Sequence, residues 1–223
     1  MKEELAFLHT AQAHVPTFER LVREIAPALR VRHVVREELL ADARVIGVED
    51  AGLVARVHAA MREAASGGTP VVVCTCSTIG AIAERTPTGD AFNALRIDRA
   101  MADRAVRTGP RVLIVAALES TLAPTHALIL SAAQGAGVEV QPATLLVEEA
   151  WPHFEAGDIP RYIETVASSI RAAAGEADVI VLAQASMAPV AKALAGIGID
   201  VLSSPEPGTA HAVALAQSAL SPT

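Results

Sequence analysis

Aromatic residues are scarce, at 3% of the 223 residues with one Trp, one Tyr and four Phe. The core must therefore be filled by Ala, Val, Leu and Ile, and hydrophobic residues reach 52% of the chain. That filling suits α/β layers whose parallel strands are buried on both faces. Cysteine is scarcer still. The two residues, in Cys74-Thr75-Cys76, cannot form a disulfide framework and point to a reducing, cytoplasmic compartment. Basic residues are outnumbered, and the formal net charge of −7 repels phosphate backbones, which argues against nucleic-acid binding. Clean apolar runs are missing too. Residues 179–202 are interrupted by Gln184, Pro189, Lys192 and Asp200, and 111–137 by Glu119, Pro124 and His126. Neither offers the ~20 apolar residues of a membrane-spanning helix. The opening Met1-Lys2-Glu3-Glu4 is acidic and has no apolar signal core, so a soluble, unexported protein is expected.

Several motifs are also absent. There is no GxGxxG after a strand, no P-loop, no HExxH and no GxSxG, which leaves nucleotide, zinc-protease and α/β-hydrolase readings unsupported. Gly196-Ile197-Gly198 is too short for a phosphate loop.

What the chain does contain is a copy of itself at an offset of 108 residues, from Val71 to Val179. Val71–Ile79 lies over Val179–Met187, and both read as strand, turn and helix. The same offset pairs Pro16-Thr17 with Pro124-Thr125 and Asp50 with Asp158. So long a period argues for two similar halves of roughly 100 residues each rather than a solenoid. It also sets Cys76 opposite Gln184.

Strand patterns fall at 6–10, 31–35, 71–76, 112–118, 138–144, 179–183 and 200–203. Helical patterns fall at 16–29, 49–65, 78–85, 93–107, 124–134, 159–174, 187–195 and 208–220. The alternation predicts an α/β fold of parallel sheets with right-handed crossovers, in which ligands bind at the carboxyl ends of strands. Thr86–Asp90, reading Thr-Pro-Thr-Gly-Asp, carries the best linker signal between the halves.

The candidate residues follow from those strand ends. Cys76 closes a strand just before a helix start, where free N–H groups and the helix dipole favour a thiolate or hold a carboxylate. The competing reading is a cysteine that only fills the core. Cys74 lies deeper on the strand, and no Cys/His cluster follows that would make Cys74-x-Cys76 a metal site. Glu119-Ser120-Thr121 end a strand ahead of Pro124, placed either to bind an anion or to cap the next helix. His9 and Thr10 close the first strand, and His9 is a candidate acid or base or else a hydrogen-bonded structural residue. Asp98 either approaches the same cleft or pairs with Arg96 or Arg99 on a solvated helix. His33, His58, His126, His153 and His211 have no catalytic context in the sequence.

Val71–Ala83, with Cys76-Ser77-Thr78, resembles the first catalytic-cysteine motif of the aspartate/glutamate/hydantoin racemase superfamily. Ile180–Met187 is similar to the second motif, where hydantoin racemases read Leu-Gly-Cys-Ala-Gly-Met. Ala117–Thr125 and Val201–Pro205 fit as well, so the resemblance covers nearly the whole chain. It implies two pseudo-symmetric parallel-sheet α/β lobes with the active site in the cleft between them. The first lobe would be 1–90 plus about 205–223, and the second 91–204. It implies no cofactor and no metal. In two-base members, a cysteine from each lobe works on opposite faces of one substrate carbon.

By motif, Cys76 takes the first-lobe role. Ser77, Thr78, Ser120 and Thr121 fall where the family grips the substrate carboxylate, with Thr10, Ala185 and Ser186 beside them. The departure is Gln184, since an amide cannot accept and return a proton at neutral pH. The resemblance therefore implies racemase-like proton transfer α to a carboxylate or carbonyl. Cys76 carries the proton, Gln184 orients the substrate, and His9, Asp98, Ser186 or water serves as the second carrier. The alternatives are a one-cysteine lyase or isomerase and a catalytically inactive carboxylate-binding protein. Arylmalonate decarboxylases keep their single thiol in the second lobe, opposite to this chain. The expected partners are a small carboxylate or carbonyl substrate and further copies of the chain, with no nucleic acid and no membrane.

Overall fold

The computed structural model describes residues 3–220. Met1, Lys2 and 221–223 lie outside the described residues, and so do those ends of the expected first lobe. Two compact units are formed: one runs up to Ile97 and resumes at Pro205, and the other is Asp98–Ser204.

In the first unit, β1 (Leu5–His9), β2 (Val31–Val35), β3 (Val71–Cys74) and β4 (Asn93–Arg96) form a parallel sheet in the order β2-β1-β3-β4. Every residue of β1 and β3 is buried, as an unbroken apolar run predicts for a central parallel strand. One face packs against α2 (Glu37–Ile46), α3 (Ala51–Ala64) and α4 (Ser77–Glu84), through Leu39, Leu53, Val57, Met61, Ile79 and Ile82. On the other face Phe7 meets Phe18 of α1 (Val15–Ile25), with ring centroids 5.2 Å apart. The last helix, α10 (Pro205–Leu220), packs against α1. Its Gly208 sits so close to the backbone that a Cβ there would lie 2.0 Å from the Ile97 carbonyl oxygen. Only glycine permits that approach.

The second unit repeats the plan. β5 (Arg111–Ala116), β6 (Gln141–Leu146), β7 (Val179–Leu182) and β8 (Asp200–Ser203) are parallel in the order β6-β5-β7-β8. The helices α5 (Arg99–Thr108) and α6 (Glu119–Ala136) cover one face; α7 (Trp151–Glu155), α8 (Ile159–Ala173) and α9 (Ala188–Ala193) cover the other. The internal match is structural down to the caps. Asp50 accepts the Leu53 N–H at the start of α3, and Asp158 accepts the Arg161 N–H at the start of α8. The α/β fold of two parallel-sheet lobes read from the sequence is the one found.

Four details differ from the sequence patterns. The helix expected over 93–107 begins only at Arg99, because Asn93–Arg96 pairs with β3 as a strand. Ala, Leu and Arg favour helix, but the ladder overrides that weak preference. Next, α6 begins at Glu119, ahead of Pro124, so Glu119, Ser120 and Thr121 form its first turn. Pro124 lies inside the helix and only leaves the Ser120 carbonyl without its usual donor. Thirdly, α2 and the short α7 had no separate signal. Lastly, Thr86–Asp90 joins α4 to β4 within the first unit, and the chain passes between the units at Ile97-Asp98 and Ser204-Pro205. Among the described residues, no helix is long and apolar enough to cross a membrane.

Candidate active site

Each sheet has one place where successive connections leave in opposite directions, between β1 and β3 in the first unit and between β5 and β7 in the second. In open α/β sheets, ligands bind outside the carboxyl ends of the strands at such a point. Almost all the candidate residues stand at these two positions.

In the first unit, Cys76 is the N-cap of α4, in extended conformation with φ −97° and ψ 116°. It is half-buried, whereas Cys74 is fully buried in the core and directs its thiol toward the Cys76 carbonyl at 3.6 Å. Both thiols are free. Ser77 and Thr78 form the first turn of α4 and are buried, and the Ser77 hydroxyl has no hydrogen-bond partner among the described residues. Thr10 is buried at the end of β1.

His9 is wholly enclosed. Its Nδ1 lies 2.9 Å from Thr75 Oγ1 and its Nε2 lies 2.9 Å from His33 Nδ1. His33 Nε2 in turn lies 2.9 Å from a Glu19 carboxylate oxygen. Burial, reinforced by His33 and His14, lowers the His9 pKa to about 3, so the ring is neutral at physiological pH. Glu19 is held below its usual value chiefly by the hydrogen bond from His33. His33, Glu19 and Thr75 were not singled out in the sequence. They meet because β1 pairs with β2 in the register Phe7↔His33, which no local spacing reveals.

In the second unit, Gln184 occupies the position equivalent to Cys76 and is buried. Its side-chain oxygen accepts the backbone N–H groups of Ala117, at 2.6 Å, and Leu118, at 3.3 Å. Two N–H donors leave no doubt which end of the amide faces them, because only the oxygen can accept. Leu118 is the N-cap of α6, so the amide oxygen ties the end of β7 to the helix start. Thr121 is buried in the first turn of α6, and the Ser120 hydroxyl is buried without a partner among the described residues. Ala185 and Ser186 lie in a single 3-10 turn, Ala185–Met187. Ser186 Oγ is 2.9 Å from the hydroxyl of Tyr162, a buried residue of α8. Burial raises the Tyr162 phenol to about 12, against a smaller lowering by Ser186. Asp98 is the N-cap of α5 and is buried, which takes it off the solvated helix face offered as one of its two settings.

The switch-point geometry can do two things chemically. In the first unit it presents a thiol at the start of α4, while the end of β1 carries a hydrogen-bonded pair of imidazoles. In the second it presents hydroxyls and helix N–H groups with an uncharged amide, Gln184, at the position that corresponds to Cys76.

No protein-family sequence profile matches the chain, and no curated protein matches it in sequence. Solved structures do match. The aspartate racemase of Picrophilus torridus superposes with a TM-score of 0.69 at 16% identity, covering 97% of this chain and 95% of its own. An allantoin racemase from Pseudomonas fluorescens gives 0.58 at 16% identity, with 98% and 93% covered. A mutant arylmalonate decarboxylase in a sulfate-associated form gives 0.56 at 16% identity, with 96% and 93% covered. The chain has the two-lobe α/β fold of the aspartate and allantoin racemases.

Proposed function

We propose that this protein is a cofactor-independent enzyme of the racemase superfamily. Cys76 removes and returns a proton on the carbon α to a carboxylate or carbonyl of a small substrate. The observation that carries this reading is the setting of Cys76. It is the half-exposed N-cap of α4, at the switch point of the first sheet, while its neighbour Cys74 is sealed in the core. Deprotonation moves the C–H electron pair into an enolate, and N–H and hydroxyl donors hold the developing charge. Ser77 and Thr78 at α4 and Ser120 and Thr121 at α6 supply such donors, with Thr10, Ala185 and Ser186 as further substrate contacts. Asp98 remains a proposed second proton carrier.

The test is an exchange screen in heavy water. Aspartate, glutamate, allantoin and related hydantoins are incubated with the protein and with Cys76→Ala. Deuterium at the α-carbon that disappears in the variant supports the reading. Exchange that survives Cys76→Ala and vanishes in Cys74→Ala overturns it.

A second reading, a lyase, is favoured by Gln184. Its oxygen is held by two backbone N–H groups, and an amide does not exchange protons at neutral pH. In that case a malonate-type substrate loses CO2 as its C–C bond breaks, the electron pair passes to the enolate, and the Cys76 S–H protonates it. Release of CO2 from arylmalonates with a product of one hand would select this branch. Gln184→Cys should then add racemisation.

A further inference from the structure

We propose that the end of β7 is a subsite of hydrogen-bond donors for a carboxylate or carbonyl oxygen, made of the Gln184 amide N–H groups and the Ser186 hydroxyl. Tyr162 is its positioning residue. The proposal rests on the reading above for the chemistry of the substrate, and it names the groups of the second unit that meet its oxygen.

Gln184 and Ser186 stand where β7 runs into the 3-10 turn Ala185–Met187. The direction of the amide is fixed. Its oxygen is taken by the Ala117 and Leu118 N–H groups, so Nε2 is the end left over. That nitrogen has no hydrogen-bond partner among the described residues, yet it is not one of the polar atoms sealed from solvent. The residue is 8% exposed, which holds the amide in this orientation. An amide nitrogen carries two hydrogens and accepts none, so what remains of Gln184 can only donate.

Ser186 is turned to the same task. Tyr162 is 0% exposed, and Ser186 Oγ, 2.9 Å away, is the one partner of its hydroxyl among the described residues. With a pKa of about 12 the phenol keeps its proton at neutral pH. Were Ser186 the donor, that proton would be buried with nothing to accept it, at the full cost of an unpaired group. Tyr162 therefore donates, and the half-buried Ser186 keeps its own hydrogen to give. Donors grouped in this way suit an oxygen that gains negative charge. They reject an ammonium group, which brings only hydrogens of its own.

A brace alone would not call for glutamine. Glutamate would accept the same two N–H groups through stronger, charge-assisted bonds, at the end of α6 that favours negative charge. Its outward atom would then be an acceptor. Glutamine is the side chain of equal length that braces with one end and donates with the other.

The experiment titrates the full chain and its variants with malonate, and with 1,3-diaminopropane as the cationic counterpart, by calorimetry. Nitrogen-15 spectra follow the Gln184 side-chain NH2 signal, assigned by its loss in Gln184→Glu. Malonate should bind and shift that signal, and the diamine should leave it in place. Gln184→Glu, which puts a charged acceptor where the donor was, should weaken malonate by roughly tenfold or more, and Ser186→Ala by roughly fivefold. Tyr162→Phe carries the sign. Without the phenol's proton on its oxygen, Ser186 becomes a poorer donor, and malonate should bind about twofold more weakly. Had Ser186 been the donor, the same change would free its hydrogen and tighten binding. Tighter binding in Tyr162→Phe, equal affinity in Gln184→Glu, a Gln184 signal unmoved by bound malonate, or no malonate binding at all overturns the subsite. Melting temperatures verify folding of the variants, and the Gln184 signal is read in the unaltered protein whatever they do. No readout needs turnover, so a failed exchange screen with this pattern intact sinks the Cys76 reading alone.

Discussion

The side-chain oxygen of Gln184 lies 2.6 Å from the backbone nitrogen of Ala117, so an uncharged amide closes the carboxyl end of β5. The same oxygen reaches the Leu118 nitrogen, which begins α6. In the duplicated first unit the equivalent position carries a thiol, Cys76, that makes no such bridge. Two units of one topology have thus taken different side chains at one place, one a free, half-buried thiol and one a brace.

That brace has a measurable weight. Gln184→Leu keeps much of the volume and removes the acceptor, leaving two N–H groups without their partner. A loss of ~2–4 kcal/mol in unfolding free energy is expected. Gln184→Glu retains an oxygen for both donors and should cost much less. Urea unfolding measures both. A Leu variant within ~0.5 kcal/mol of the parent would show that the bridge contributes little to stability.

The two cysteines should separate cleanly by labelling. In the folded protein, Cys76 should react with iodoacetamide while Cys74, sealed in the core against Leu8 and Ile79, should not. Denaturation in urea should release the second equivalent. Peptide mapping identifies which thiol is modified. Modification of Cys74 under native conditions would contradict the burial difference on which the choice of Cys76 rests.

Much of this was legible in the chain because it is local or repeated. A strand of Val71-Val72-Val73 followed by Ser77-Thr78 fixes Cys76 at a helix start whatever surrounds it. The repeat at Val179 reveals the second sheet and pairs Asp50 with Asp158, whose shared capping role appears only in the structure. What stayed hidden depends on pairing between distant segments. Asn93–Arg96 has helix-favouring residues and becomes a strand only beside β3. His33 had no chemical context until the β1–β2 register set it against His9. The backbone partners of Gln184 belong to a strand end 67 residues away. Pattern reading placed the thiol but could not see what braces its counterpart.

His9 makes a prediction about acid. Its folded pKa of about 3 lies below the ordinary 6.5, so between these values the unfolded chain binds a proton that the folded one refuses. The contribution is fully present above about pH 6.5 and is lost as pH falls toward 3, at roughly 1.4 kcal/mol per unit. His14, also lowered by burial, acts in the same direction. His9→Phe fits the stack with Phe7 and Phe18 and should remove about one proton from the slope of stability against pH between about 6 and 5. Unfolding curves at several pH values give that slope. An unchanged slope would mean that His9 is protonated in the folded state.

The single tyrosine offers the most direct optical test. Tyr162 is the only phenol in the sequence, so absorbance near 295 nm reports its ionisation alone, above a fixed contribution from the one tryptophan. Burial beneath α8 should hold the midpoint near about 12 rather than 10, as long as the fold survives the alkaline range. The hydrogen bond with Ser186 lowers the value, opposing the larger effect of burial. Ser186→Ala should therefore push the midpoint higher still, and Tyr162→Phe should abolish the signal. If titration of the native protein occurs near 10, the phenol is in water and Ser186 is not tied to it. Ser186 would then be free to contact substrate without Tyr162 behind it.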